Sequence, residues 1–190
     1  MNRRLALVTM AAAILIHAPV FSAPPKRLEL FGMQLKGATR DQLRQTFKQN
    51  GVNPVREDDR YWVDNYNANG VLDGATEFSA GYVSATSKFA FAGYTFPSRM
   101  DTQQVGKIID MVAAKYGRPT SRKGNYGLGE VAAIWSIGQG MELRVTRGWP
   151  DTTTYLLYVD LNANKAMEAE IAANRKTQQA EKAKAQSKAF

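Results

Sequence analysis

From Val105 to Tyr116 the apolar positions Val105, Ile108, Ile109, Val112, Ala113 and Tyr116 recur at the spacing of one helical face, and Gly117 with Pro119 ends the run. The period then changes. Residues 130–137, 141–147 and 152–160 read as strands, separated by Gly138-Gln139-Gly140 and by Gly148-Trp149-Pro150-Asp151, which are turn-forming residue types. Together they predict a helix followed by three strands. Asp101 and Gln104 are placed as its capping box, and Met100 with Val105 as a staple across the helix start.

The same order of elements is found upstream. Residues 28–35 read as a short strand or extended lead-in. Thr39 and Gln42 form a capping box, Leu43 and Phe47 lie one turn apart, and Gly51 closes the helix. An aromatic strand around Tyr61-Trp62-Val63 follows, then strands over 75–84 and 88–96. Phe78, Ala80 and Tyr82 alternate as Met141, Leu143 and Val145 do; Trp62 corresponds to Trp135, and Tyr94 to Tyr158. Residues 24–162 therefore predict an α+β domain of two αβββ units, about 28–97 and 98–162. The units form an open antiparallel sheet with two helices packed on one face. Trp62 and Trp135, among apolar neighbours, are expected in the core. Residues 163–190, rich in Ala, Lys and Gln, predict a helical or disordered tail: a helix near Met167 to Ile171 that frays, buries little and can be deleted at small cost.

The N-terminus changes where this domain is expected to work. Arg3 and Arg4, an apolar run from Leu5 to Ile16, and small residues at Ser22 and Ala23 have the layout of a secretory signal peptide over residues 1–23. The run falls short of the ~20 apolar residues that span a bilayer, so no transmembrane segment is expected in the mature chain, and the location is periplasmic or secreted. The chain has no cysteine, and its single histidine, His17, leaves with the leader. A mature protein without thiol or imidazole has no Ser-His-Asp or Cys-His machinery, which leaves carboxylates, Lys, Tyr and Ser as reactive groups. Neither metal nor cofactor is expected, and the state is monomer or dimer. The charge of +8 is spread among both signs along the chain, and with export this argues against a nucleic-acid partner.

Phe31-Gly32-Met33 followed by Ala38-Thr39-Arg40-Asp41-Gln42-Leu43 and a helix ending at Gly51 resembles the opening of small cell-envelope domains of the outer-membrane-assembly lipoprotein type. The tandem arrangement over residues 28–160 is similar to that of the secreted beta-lactamase inhibitor proteins. The chain departs from the lipoproteins in lacking a lipidated cysteine. The resemblance implies a binding or assembly role in the envelope.

Three constellations carry candidate chemistry. Gly124-Asn125-Tyr126-Gly127-Leu128-Gly129 is glycine-rich, but it follows a helix and precedes a strand, so it reads as a connection and not as a phosphate loop. Glu57, Asp58, Asp59 and Asp64 could supply paired carboxylates for glycan hydrolysis; flanked by Arg56 and Arg60, they read more readily as a solvated turn with local ion pairs. Arg147-Gly148-Trp149-Pro150-Asp151 places a tryptophan in a hairpin turn. That residue type dominates binding hot spots, yet at such a tip it can also fold back onto the sheet. The predicted binding site is Trp149, Arg147, Tyr126, Asn125 and Asp151, with no catalytic and no metal-ligating residue. The function expected is a non-catalytic protein-binding module of the cell envelope, of inhibitor, immunity or assembly type, whose partner is another exported or envelope protein. The alternatives are a carboxylate-dependent glycan or peptidoglycan hydrolase, and a binder of anionic envelope glycan or lipid.

Overall fold

The computed structural model describes residues 27–97, 101–127 and 129–187; the expected leader and the Met100 staple lie outside them. The lead-in is a hairpin of two-residue strands, β1 (Glu29–Leu30) and β2 (Met33–Gln34), reversed at Phe31 and Gly32, both with positive φ. It folds back because Leu28, Leu30 and Leu35 all become buried that way. Next comes α1 (Arg40–Gln49), where the Thr39 hydroxyl accepts from the Gln42 N–H and the Gln42 side chain accepts from the Thr39 N–H, the reciprocal cap the sequence predicts. Four strands follow: β3 (Asn53–Arg56), β4 (Val63–Asn67), β5 (Glu77–Val83) and β6 (Lys88–Phe96). The second unit repeats the order with α2 (Gln104–Tyr116), β7 (Ser121–Gly124), β8 (Val131–Gly138), β9 (Met141–Arg147) and β10 (Thr154–Asp160).

The fold is α+β, but each unit is a helix and four strands, one strand more than the pattern predicts. The added strands, β3 and β7, are the two edges of an eight-stranded antiparallel sheet in the order β3-β4-β5-β6-β10-β9-β8-β7. That order reads alike from either end, so the units meet last strand to last strand, with Tyr94 of β6 opposite Leu156 of β10. The aromatic strand also shifts: it starts at Val63, after Trp62. The start of α2 differs as well. Asp101 Oδ1 accepts from the Gln103 N–H in a turn, and the helix opens at Gln104 with no side-chain cap.

Both α1 and α2 lie on the inner face of the sheet. Phe47 of α1 stands edge-on to Phe31, Tyr66 and Phe78, with centroids 5.9, 5.2 and 5.0 Å away. Such pairs add about 0.5–1.5 kcal/mol each beyond the area buried. From α2, Val105, Ile108, Ile109 and Val112 are buried against the second unit, and Trp135 Nε1 donates 2.7 Å to the Gly117 carbonyl, fixing the helix end to β8.

The C-terminal segment is a single helix, α3 (Leu161–Gln186), longer and better docked than its alanine content predicts. Asp160 caps it through the N–H groups of Asn162 and Ala163, and its first half crosses the outer face at β5 and β6. There Met167 is buried, Ala163 and Ile171 pack around Val83, Ala90 and Phe91, and Trp62 joins this outer cluster while Trp135 fills the inner core. Glu170 accepts from Trp62 Nε1 (2.9 Å) and from the Ser84 and Ala85 N–H groups (2.7 and 3.1 Å). Burial would raise the Glu170 pKa, but these donors outweigh it and hold the carboxylate below its usual range. Residues 172–187 are exposed. Truncation before Ala173 should therefore leave the melting temperature within about 2 °C of wild type. Truncation before Ala163 should lower it by roughly 5 °C or more, because burying a methionine-sized side chain is worth about 1.5–3 kcal/mol. Thermal denaturation of the two truncations measures both.

Beyond α3 the outer face is open among the described residues. A Cβ on Gly93 would sit 2.6 Å from Leu157 Cδ2, so this glycine is what lets Leu157 lie flat on the sheet. Ala132, Thr146, Ile134 and Arg144 continue the surface half-buried, with Tyr155 exposed at its edge.

Candidate functional site

Strand parity decides what the second unit presents at its free end. Along β9, Met141, Leu143 and Val145 point inward, and two residues further on Arg147 does the same; it is 3 % exposed. Its guanidinium donates to the carbonyls of Gly129 (3.2 and 3.0 Å), Asn125 (3.1 Å) and Tyr126 (3.2 Å) from the β7–β8 connection, and of Thr102 (3.3 Å) before α2. Arg147 is therefore the hub that gathers three segments. The sequence reading placed it on the binding surface; burial corrects that, because its donors are spent on backbone carbonyls.

Around this hub the other four predicted residues assemble at one end of the sheet. Trp149 is 54 % exposed, in the β9–β10 hairpin before a cis Trp149–Pro150 peptide. Asp151 Oδ1 accepts from the Thr153 N–H, which lowers its pKa and tightens the hairpin. Asn125 Oδ1 accepts from the Gly127 N–H in a parallel arrangement. Tyr126 is half-buried against the core, with Arg122 hydrogen-bonded to its hydroxyl and stacked 4.2 Å over its ring. The sequence reading missed Arg122, although its spacing of four from Tyr126 was visible. The result is an end of the sheet that carries Trp149 exposed on one loop and Tyr126 half-buried on another, the second loop held from inside by the buried Arg147.

The carboxylate cluster resolves differently. Asp58 pairs with Arg60 in an exposed turn, and that hydrogen bonding lowers it to about 2. Asp64, by contrast, is fully buried. Arg40 Nη2 and Nε reach its two oxygens at 2.9 and 3.1 Å, Arg44 Nη2 and Nε at 3.0 and 2.8 Å, and the Asp58 N–H adds a fifth donor at 3.3 Å. Arg40 also donates to the Tyr61 and Asp58 carbonyls and stacks 4.7 Å over the Tyr82 ring. Burial alone would raise the Asp64 pKa, but the hydrogen bonds from Arg44 and Arg40 overcome it and hold the carboxyl ionised below the usual range. Charged, enclosed and saturated with donors, Asp64 has no proton to give and no lone pair to offer a substrate. Burial likewise raises the hydroxyls of Tyr66, Tyr82, Tyr94 and Tyr158 far above their ordinary value, so they stay protonated.

Among the described residues no three His, Cys, Asp or Glu side chains could hold a metal ion together, and no helix is long and apolar enough to cross a membrane. No protein-family model and no curated protein matches the sequence. Among solved structures the chain is similar to the crystal structure of a DUF4309 family protein, YjgB from Bacillus subtilis, at 12% identity and a TM-score of 0.42, covering 70% of this chain and 86% of that one.

Proposed function

We propose that this is an exported, non-catalytic binding module of the cell envelope, and that it holds another exported protein at the Trp149 end of its sheet. The observation that carries this reading is the placement of Trp149: more than half exposed, on a hairpin whose neighbouring loops are fixed from within by Arg147. A large amphipathic side chain with little freedom left to lose keeps more of its contact free energy on binding. The open outer face, with Tyr155 at the same end of β10, extends the surface available to a partner. Support for export comes from the leader pattern in residues 1–23. A carboxylate hydrolase draws no support from Asp64, whose oxygens are occupied by arginine.

The test is a pull-down from the envelope fraction followed by affinity measurement on the stoichiometric partner it recovers. Trp149→Ala should weaken that affinity by ~2 kcal/mol or more, about 30-fold, at an unchanged melting temperature. A variant that melts earlier yet binds normally in its folded fraction would show that Trp149 packs and does not bind.

A further inference from the structure

We infer that β7 is a docking edge for an extended acidic segment of a partner protein, an inference that rests on the binding role proposed above and names the chemistry of the partner. The sheet has two edges, and they are not equivalent. Along β3, Pro54 offers no N–H, and the register slips between Pro54 and Arg56, so an incoming strand would meet a missing donor and a bend. Along β7, Ser121 to Gly124 pair in unbroken register with Ile134 to Val131, and no proline or bulge interrupts the far side. Its backbone is thus open to one more strand from Ser121 to Lys123, up to Gly124, where a positive φ of 96° turns the chain.

Charge selects the occupant. Arg118, Arg122 and Lys123 are exposed on or beside this edge, with Lys115 at the adjoining end of α2 and Glu130 the facing carboxylate across the loop. Cations on an edge strand oppose pairing with a like-charged edge. Two copies of β7 laid together would set Arg122 and Lys123 against the same residues, so a second copy of this chain is disfavoured. A strand carrying Asp or Glu is attracted by those same groups. The direction of β7 then matters: it runs into Asn125 and Tyr126, whose carbonyls Arg147 holds, so a strand added here is led to the aromatic end. Four residues span only about 13 Å, so the edge guides a partner while the aromatic end anchors it.

The experiment uses the full chain and an eight-residue peptide of alternating threonine and glutamate, with its threonine–lysine counterpart as control. Titration by fluorescence anisotropy should show at least tenfold weaker binding of the lysine peptide. Arg118→Glu combined with Lys123→Glu should weaken the glutamate peptide by tenfold or more; Lys123→Gln alone, the milder change, should weaken it by two- to fivefold. Amide exchange should show new protection at Ser121 to Gly124, which side-chain attraction without strand addition would not produce. Trp149→Ala should leave this peptide within twofold, so failure at the edge and failure of the Trp149 reading are distinguishable. No binding at millimolar peptide, equal binding by the charge-reversed chain, protection mapping to α3, or dimerisation through β7 would each overturn the inference.

Discussion

Asp64→Asn should melt roughly 10 °C below the wild type, a loss of about 3–5 kcal/mol, the cost of removing one partner from a buried charge cluster. The reason is geometric. Arg40 is buried and Arg44 nearly so, and both direct two N–H groups at the Asp64 oxygens; an amide in that position is neutral and turns donors toward donors. Asp59 remains as a salvage partner at 2.8 Å from Arg44 and 3.6 Å from Arg40, but it is largely solvent-exposed and its contribution is small. The pH dependence follows from the sign of the shift. Because the folded pKa of Asp64 is depressed, its stabilisation is complete above the ordinary aspartate value of about 3.9 and is lost as pH falls through the lower folded value. Wild-type stability should therefore decline more steeply below about pH 4 than that of Asp64→Asn. Chemical denaturation of the two proteins at pH 7 and pH 3 reads both effects.

Arg147→Met should cost on the order of 3 kcal/mol, since charge-assisted hydrogen bonds contribute about 1.5–3 kcal/mol each and several end on this guanidinium. Its consequence is also local. Freed from Arg147, the connection carrying Asn125, Tyr126 and Gly129 should exchange amides faster than the rest of the sheet, and under the proposed binding role partner affinity should fall although Arg147 is itself buried. Denaturation gives the stability change, and amide exchange shows whether the loosening is confined to residues 125–129 and the turn before α2. A uniform loss across the sheet would mean that Arg147 only packs.

What was legible in the sequence was local. The Thr39–Gln42 cap needs four residues, and the alternation of Met141, Leu143 and Val145 needs five. That same alternation held an unread message: Arg147 continues the inward series, so its burial could be read from parity alone. Asp64 is similar, lying two residues before the buried Tyr66 on β4 and facing Arg40 and Arg44, which are one turn apart on α1. Edge strands β3 and β7 were invisible because their side chains are almost all exposed; Val55 is 72 % exposed, and pairing with β4 and β8, not periodicity, makes these segments strands. The stripe of Ala163, Met167 and Ile171 was visible on α3, but the face it covers depends on Trp62 and Phe91, far away in sequence.

The most direct test is amide exchange on the full chain, free and bound to the partner recovered from the envelope fraction. An interface at the Trp149 end of the sheet predicts protection concentrated at residues 121–127 and 148–155, with α1 and the exposed half of α3 unchanged. Protection centred on α3 or on the α1 side of the sheet, with the Trp149 hairpin exchanging as in the free protein, would contradict it.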